Sequence, residues 1–460
     1  MREKAAFRPG KPALLALLLL SSGHAFAAAN PEDLQKKIQA LEAELAQTKQ
    51  ALKEAQTAKP AAASTAAAAA EKPNTDMAFD VAGGTLKVGG AVRVNYTAGT
   101  YAKDTGGGES SRSFSDGGNV GLDTARINLD YTNGNILGKF EYRFYDGYGG
   151  FGTGYHMLHT AWLGYNYDNG SQVQVGVNRV PFGPGPYGIS QSFFFDQHYY
   201  VGLSDDMDLG VKYTWKSGDW TWDAGYYLQD EGSYKGGSKK ADRYSYDVIT
   251  NAQGNGYEED GQINLRGIYS TQLAGIDSDV GFSAQFGQLE GKGLNAAGRP
   301  TQDGDMSAYS LHMINKWNNF TLASQGTYYD YKVDQAGVGN RGEILMGAFA
   351  FPTAVAAEAF IPAVSLSYYY ETPSIGWLNY VIPFVEYSSI LKEEAGFNDS
   401  ELYTIGAAFG TAGGWYTYAE YATSNGNDFI GGDGGFNSRF GANPTQKRNH
   451  RFNINFGYYF

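Results

Sequence analysis

The stretch FNINFGYYF, residues 452–460, indicates the fold class of this 460-residue chain. Phe452, Ile454, Phe456, Tyr458 and Phe460 occupy every second position, with mostly polar residues or glycine between them. Successive side chains of a β-strand point to opposite faces, so this alternation predicts a strand with one apolar face that continues to the final residue.

The same alternation recurs from about residue 85 onward in segments of about ten residues. Short turns are predicted at residues 133–134, 168–170, 217–219, 273–278, 318–319, 371–376 and 411–414. Longer, Gly- and Asp-rich connections are predicted near residues 99–119, 147–155, 179–206, 231–260, 291–304, 333–360, 391–400 and 425–447. Seven short and eight long connections in strict alternation predict an all-β domain over 85–460, a 16-stranded antiparallel β-barrel.

Three features indicate that this barrel is transmembrane. Tryptophans concentrate near the proposed short turns, as in the aromatic belt at a membrane interface. The chain also begins with basic residues, an apolar run and Ala25-Phe26-Ala27, which predicts a signal peptide over 1–27 with cleavage at Ala25 and Ala27. Finally, the terminal strand resembles the signal that barrel-assembly machinery reads in outer-membrane proteins, with Phe460 as its last residue. A Gram-negative outer membrane, with its lipid and lipopolysaccharide, is the expected location.

Between signal and barrel, residues 30–57 repeat apolar side chains at heptad spacing, as in Leu34, Ile38, Leu41 and Leu45. We interpret this segment as a short periplasmic coiled-coil helix that forms a trimeric stalk; a frayed amphipathic helix is the alternative. Residues 58–84 then form an Ala/Pro-rich linker.

Charge and composition exclude several functions. The formal net charge is −13, and loss of the four basic and one acidic residues of the signal changes it to −16, so nucleic acid is not an expected partner. The chain has no cysteine, and no Ser, His and acid spacing suggests catalysis. We predict no enzyme activity, no cofactor and no metal site. The acidic clusters Asp205-Asp206-Asp208 and Glu258-Glu259-Asp260 could bind divalent cations that bridge lipopolysaccharide, although ordinary solvated charge is the interpretation we favour.

A barrel of sixteen strands leaves a lumen too wide for its own side chains to fill, so we expect an aqueous channel. The third long connection is rich in Pro, Gly and aromatic residues, which predicts a compact loop folded into the barrel; a rigid external loop or a latch at a trimer contact is the alternative. The predicted constriction residues are Arg179, Pro181, Phe182, Tyr187, Phe193, Phe194 and Asp196.

Charged residues opposite the apolar faces should line this channel. The basic ones are Arg93, Arg126, Lys139, Arg143, Lys212, Arg266 and Arg451, and the acidic ones are Asp130, Glu141, Asp223, Glu386 and Glu420. The small basic excess predicts a mild preference for anions. In the alternative interpretation these charges pair across neighbouring strands and select nothing. Tyr187, Tyr227 and Tyr418 could instead form a stacking track for sugars.

Residues 176–183, GVNRVPFG, followed by Asp208-Leu209-Gly210-Val211, resemble the corresponding stretch of the phosphate-selective porins O and P. The resemblance extends to the layout of most of the mature chain. It implies a homotrimeric, anion-selective porin with arginines along the channel and lysines at the constriction. This sequence departs from that pattern, since its loop carries Arg179 but no lysine.

The sequence thus predicts an outer-membrane porin for small hydrophilic solutes, mildly selective for phosphate or organic anions. A saccharide-selective or general porin is one alternative, and a structural tether between outer membrane and cell wall is another.

Overall fold

A computed structural model describes residues 77–100, 117–147, 150–236, 238, 240–333, 342–431 and 439–460. The predicted signal peptide (1–27), its cleavage site at Ala25 and Ala27, the coiled-coil segment (30–57) and residues 58–76 of the linker lie outside these described residues. No helix within the described part is long and apolar enough to cross a membrane.

Sixteen antiparallel strands form a closed barrel, as the sequence predicted. The barrel strands are β1 (Gly84–Gly99), β2 (Asn119–Asn133), β3 (Ile136–Gly147), β4 (Gly150–Asn166), β5 (Gln172–Arg179), β6 (Met207–Ser217), β7 (Trp220–Asp230), β8 (Gly256–Leu273), β9 (Ile276–Lys292), β10 (Gly304–Trp317), β11 (Phe320–Lys332), β12 (Glu358–Tyr368), β13 (Leu378–Lys392), β14 (Ser400–Thr411), β15 (Trp415–Ser424) and β16 (Asn449–Tyr459). Each pairs with its neighbours in sequence, and β1 closes the ring by pairing with β16, Asn95 opposite Asn455. Closure gives hydrogen-bond partners to the backbone N–H and C=O groups of both terminal strands, because lipid hydrocarbon offers none.

Tight turns and long connections alternate around the barrel. The two-residue turn after Asn133 contains Gly134, whose φ of +55° suits such a hairpin and carries no steric cost for glycine. One expected long connection is wrong: β3 ends at Gly147 and β4 begins at Gly150, so the segment predicted as 147–155 is mostly strand. In addition, a short strand (Met77–Val81) within the predicted linker pairs with the start of β1.

The two faces of the barrel wall have opposite chemistry. Outward side chains are apolar and exposed; they include Ile127, Phe144, Leu163, Val175, Ile263, Leu311, Val385, Ile405 and Phe456. Inward side chains are polar and covered; they include Asn264, Gln285, Ser310, Gln325, Thr404, Asn453 and Asn455. A soluble sandwich would show the reverse, with apolar residues inside, so this surface fits lipid outside the barrel.

Aromatic side chains cluster at the rim formed by the tight turns. Trp215, Trp220 and Trp222 stack beside the turn at residues 218–219, with ring centroids 5.0 to 6.1 Å apart. Trp415 stacks on Phe456 at 4.8 Å. Trp377 is exposed to 66 %. These rings match the belt expected at one membrane interface.

The rim of long loops is built differently, because several of its loops pack together. We number the long loops in chain order: loop 3 is residues 180–206, loop 4 is 231–255, loop 6 is 333–357 and loop 8 is 425–448. A three-stranded sheet of Asp247–Val248, Glu343–Ala348 and Phe351–Ala356 joins loops 4 and 6. Aromatic contacts extend this core to loops 3 and 8, since Tyr200 stacks on Phe440 at 5.0 Å. The sequence predicted no strands in these loops.

Candidate functional site

Loop 3 crosses the inside of the barrel and binds wall strands far from its own ends. Its tip reaches β13, where the Ser190 hydroxyl donates to Glu386 at 2.6 Å. The Ser192 hydroxyl donates to Glu420 on β15, also at 2.6 Å. The loop leaves the barrel wall at β5 and returns at β6, so these contacts on the far strands place its tip within the lumen.

Hydrogen bonds to the barrel wall also hold the first half and the end of loop 3. The Gly183 amide donates to the Ser283 hydroxyl on β9 at 3.0 Å. His198 forms a hydrogen bond with Thr327 on β11 at 2.9 Å, and the Tyr331 hydroxyl donates to the carbonyl of Val201. Burial raises the pKa of the Tyr199 phenol well above its usual value, so this residue is neutral within the aromatic core.

The structure brings the predicted constriction residues together around this loop. Pro181 and Phe182 are buried at its start. Arg179 lies over the Tyr187 ring at 5.3 Å. Phe193 and Phe194 lie under two cations of the wall, Arg93 and Arg451, at 5.8 and 5.4 Å. Asp196 is buried and accepts from the His198 amide at 2.8 Å, so it orders the loop rather than facing solvent.

Four of the predicted lining charges face inward; three of them are bound to loops, and Lys212 is bound to the last residue of β5. Glu386 and Glu420 accept backbone amides of Gln191 and Phe193 besides the two serines. Lys212 donates to the carbonyl of Arg179 at 2.7 Å. Arg451 donates to the carbonyl of Phe429 in loop 8 at 2.6 Å. The sequence located these residues on the inner face but did not show which groups they bind.

The remaining predicted lining charges form ion pairs, as the alternative interpretation anticipated. Arg126 lies 3.4 Å from Glu141, and Arg143 binds the same carboxylate at 2.6 Å while lying over Tyr244. The other pairs are Arg266 with Asp223 at 2.8 Å and Lys139 with Asp130 at 3.3 Å.

Two carboxylate partners of the lining arginines were not predicted from the sequence. Asp123 binds Arg93 at 2.7 Å, and Asp205 binds Arg179 at 2.7 Å. The register of β1 and β2 shifts between Arg93 and Val94, and this bulge turns Asp123 inward although strict alternation assigns it to the lipid face. One sign of this bulge was present in the sequence: Asp123 is a single carboxylate among the positions of β2 that alternation assigns to the lipid face.

In five of these pairs the cation is the more exposed partner, by a small margin for Lys139 and Asp130 (46 % against 42 %) and by a larger one in the other four. The side chain of Arg179 is 29 % exposed, whereas that of Asp205 is fully covered. Arg126 is 23 % exposed against 9 % for Glu141. Arg266 and Arg93 likewise are more open than Asp223 and Asp123. Three of these four pairs are neutral in sum, whereas Arg126 and Arg143 share one carboxylate, and in all four the positive end is the more exposed one.

Two of the three tyrosines considered for a sugar track are not available for stacking. Tyr227 is buried and donates to Asn178 at 3.1 Å. Tyr418 is buried beside Phe193. Tyr187 remains half-buried.

Comparison with solved structures identifies this architecture. The outer membrane channel DcaP of Acinetobacter baumannii aligns with a TM-score of 0.53 at 13 % identity, over 83 % of this chain and 99 % of that one. An anion-selective porin from Comamonas acidovorans aligns at 0.50 and 12 % identity, over 82 % and 100 %. Salmonella typhi OmpF aligns at 0.50 and 11 % identity, over 84 % and 100 %.

The chain has the fold of an outer-membrane porin. Identities of this size show the fold alone. No protein-family model matches the sequence, and no curated protein is similar to it. The resemblance to the phosphate-selective porins O and P therefore stays a prediction.

Proposed function

We propose that this protein is a porin of a Gram-negative outer membrane, through which small hydrophilic solutes diffuse passively with a mild preference for anions. The observation that carries the proposal is loop 3, which crosses the lumen of a sixteen-stranded barrel and is bound to the far wall through Glu386 and Glu420. Such a barrel is too wide to be filled by its own side chains, so an inward loop narrows it without replacing the aqueous path.

The sign of the selectivity follows from the ion pairs. A permeating ion near the constriction meets the guanidinium groups of Arg93, Arg126, Arg179 and Arg266 before it meets their covered carboxylates. Arginines that line a pore lower the entry barrier for anions. We propose phosphate or small organic anions as the solute class.

The assembly we propose is a homotrimer in lipid and lipopolysaccharide, inserted by barrel-assembly machinery that reads Phe460. The N-terminal segment would lie in the periplasm. The apolar outer face and the aromatic belt of Trp215, Trp220 and Trp415 support insertion in a bilayer.

Reconstitution in planar bilayers tests the function. The reversal potential across a salt gradient gives the permeability ratio, and phosphate, dicarboxylates and oligosaccharides serve as blockers. Anion-biased conductance in steps of three supports the anion-preferring trimer. Unselective or cation-biased conductance that oligosaccharides block would overturn it in favour of a saccharide porin, and no conductance would overturn the channel itself.

A further inference from the structure

Four buried carboxyl groups meet where loops 3 and 4 join the barrel rim. Asp206 and Asp208 flank the start of β6, Glu231 follows β7, and Asp247 lies in loop 4. All four are at least nine-tenths covered. For Asp205-Asp206-Asp208 the sequence favoured ordinary solvated charge over the binding of divalent cations. The burial of these three residues shows that the favoured interpretation is wrong.

The hydrogen-bond donors near this cluster reach only some of its carboxyl oxygens. Gln262 donates to Oδ2 of Asp208 at 3.3 Å, and the amides of Tyr244 and Ser245 donate to Oε1 of Glu231. Three oxygens have no hydrogen-bond partner in the described structure: Oδ1 of Asp206, Oδ1 of Asp208 and Oε2 of Glu231. Unpartnered carboxylate oxygens in a buried site are costly unless a cation or a proton joins them.

The positive charge paired with the cluster is smaller than the negative charge in it. Arg243 contacts Oδ2 of Asp247 at 3.0 Å, and it shares its guanidinium with Asp230 at 2.5 Å. One guanidinium cannot balance the several carboxylates around it.

The geometry suits an ion bound by oxygen. One carboxylate oxygen from each of Asp206, Asp208 and Asp247 lies within 4.8 Å of the others. Oxygens bound to calcium at 2.3–2.6 Å stand at most about 5 Å apart across the ion, whereas magnesium requires a tighter octahedron. The Glu231 carboxyl is next to that of Asp247 and could supply a further ligand.

We infer that Asp206, Asp208 and Asp247 bind a divalent cation, for which calcium is the best fit, and that this ion fastens loop 4 to the end of loop 3. The ligands come from residues about 40 positions apart, so the ion would join the inward-folded loops to the rim. This inference concerns binding and does not depend on channel activity.

Terbium luminescence tests the site in the full-length protein, purified in detergent and washed with a chelator. Terbium replaces calcium at oxygen sites, and Tyr244 and Tyr246, which flank Ser245, would sensitise it. We expect saturable binding of one ion per chain that calcium displaces. Asp247→Asn and Asp208→Asn should each weaken this binding at least tenfold.

Glu258→Gln is the matched control, because Glu258 lies at the same rim but is half-exposed and pairs with Lys240 at 2.6 Å and Lys292 at 3.4 Å. It should bind terbium as the unmodified protein does. Equal binding in the Asp247→Asn variant would overturn the inference by showing that the ion binds elsewhere. No binding in the unmodified protein would also overturn it and would indicate that the carboxyl groups share protons.

A second measurement needs no variant. Calcium should slow proteolytic cleavage within loop 4 of the unmodified protein, and excess chelator should restore it. Cleavage that does not respond to calcium would also overturn the inference, whatever the folding of the variants.

Discussion

Arg126 and Arg143 share the carboxylate of Glu141. Because Glu141 keeps one partner when the other is removed, the electrostatic effect of Arg126 can be tested without leaving Glu141 unpaired. Arg143 is buried and holds the carboxylate at 2.6 Å, whereas Arg126 lies farther away, at 3.4 Å, and is partly exposed. Removal of Arg126 therefore leaves Glu141 paired. The change in selectivity can then be attributed to one exposed charge.

Arg126→Gln should reduce the preference for anions. A unit charge about 5 Å from a permeating ion contributes about 0.8 kcal/mol in water, which corresponds to about a fourfold change in permeability ratio. Screening makes the effect largest at low salt, so the reversal potential is best measured at about 10 to 100 mM. Arg448→Gln is the control, since Arg448 pairs with Glu401 and lies over the outward Tyr403 ring. An unchanged potential in Arg126→Gln would refute the proposed role of these arginines.

Asp428 should make the packing of loop 8 sensitive to pH. Its carboxyl accepts from Thr353 of loop 6 at 3.0 Å, and burial raises its pKa from 3.8 to about 7, although Arg439 and Lys392 oppose the shift. Between these two values the folded protein holds a proton that the unfolded chain has lost, so stability falls as the pH rises from about 4 to about 7.

Limited proteolysis of loops 6 and 8 measures this effect. The unmodified protein should be cleaved faster at about pH 8 than at about pH 5, after correction for protease activity on a denatured substrate. Asp428→Asn keeps a neutral side chain at both pH values and should lose the difference. A variant with the same pH response as the unmodified protein would assign the effect to other groups.

Among the elements, loop 3 shows which features could be predicted from the sequence and which could not. Its Pro, Gly and aromatic content predicted an ordered inward loop, because those residue types fix a backbone path and pack well. Its anchors join residues 196 and 228 positions apart in the chain. No local pattern links Ser190 to Glu386, so these partners required the structure.

Glu386→Ala together with Glu420→Ala should release the tip of loop 3. Each carboxylate accepts several hydrogen bonds, and one bond to a charged group contributes about 1.5–3 kcal/mol. Single-channel recordings should show added conductance levels and more noise. A barrel that folds normally but conducts at one unchanged level would contradict the anchoring role.

A thiol cross-link provides the converse experiment, since the chain has no cysteine of its own. Ser192→Cys with Glu420→Cys, joined by a short bifunctional thiol reagent that replaces the length of the glutamate side chain, should tie the loop to the wall and keep a steady conductance level. Ser192→Cys alone is the matched control.

The three-stranded sheet that joins loops 4 and 6 could not be predicted from the sequence for another reason. Its strands are as short as two residues, and the pairing of Val248 with Met346 joins two separate loops. Short strands give too few alternations for a period to be recognised. The same limit explains the segment at 147–155, where Gly-rich sequence conceals strand pairing such as Tyr145 with Tyr155.

For the whole molecule, the number of strands and the closure of the barrel were predictable, because each of sixteen strands repeats one pattern and the turns alternate in length. An error in any one boundary leaves the count unchanged. How far the lumen is narrowed depends instead on loops 3, 4, 6 and 8 packing together, which is a property of tertiary contacts alone.

Deletion of residues 30–75 separates the role of the N-terminal segment from that of the barrel. All the strands described here begin at or after Met77, so the deletion leaves every pairing between these strands in place. The unit conductance and the permeability ratio should therefore match those of the full chain.

If the heptads of residues 30–57 help three chains associate, the shortened protein should dissociate into monomers at a lower temperature on native-like gels. A Gly/Ser segment of equal length in place of residues 30–75 controls for linker length and should behave like the deletion. Conductance lost in the deletion but kept with the Gly/Ser segment would instead show that the barrel needs a spacer for assembly, and retention of trimer stability in both would exclude a trimerising stalk.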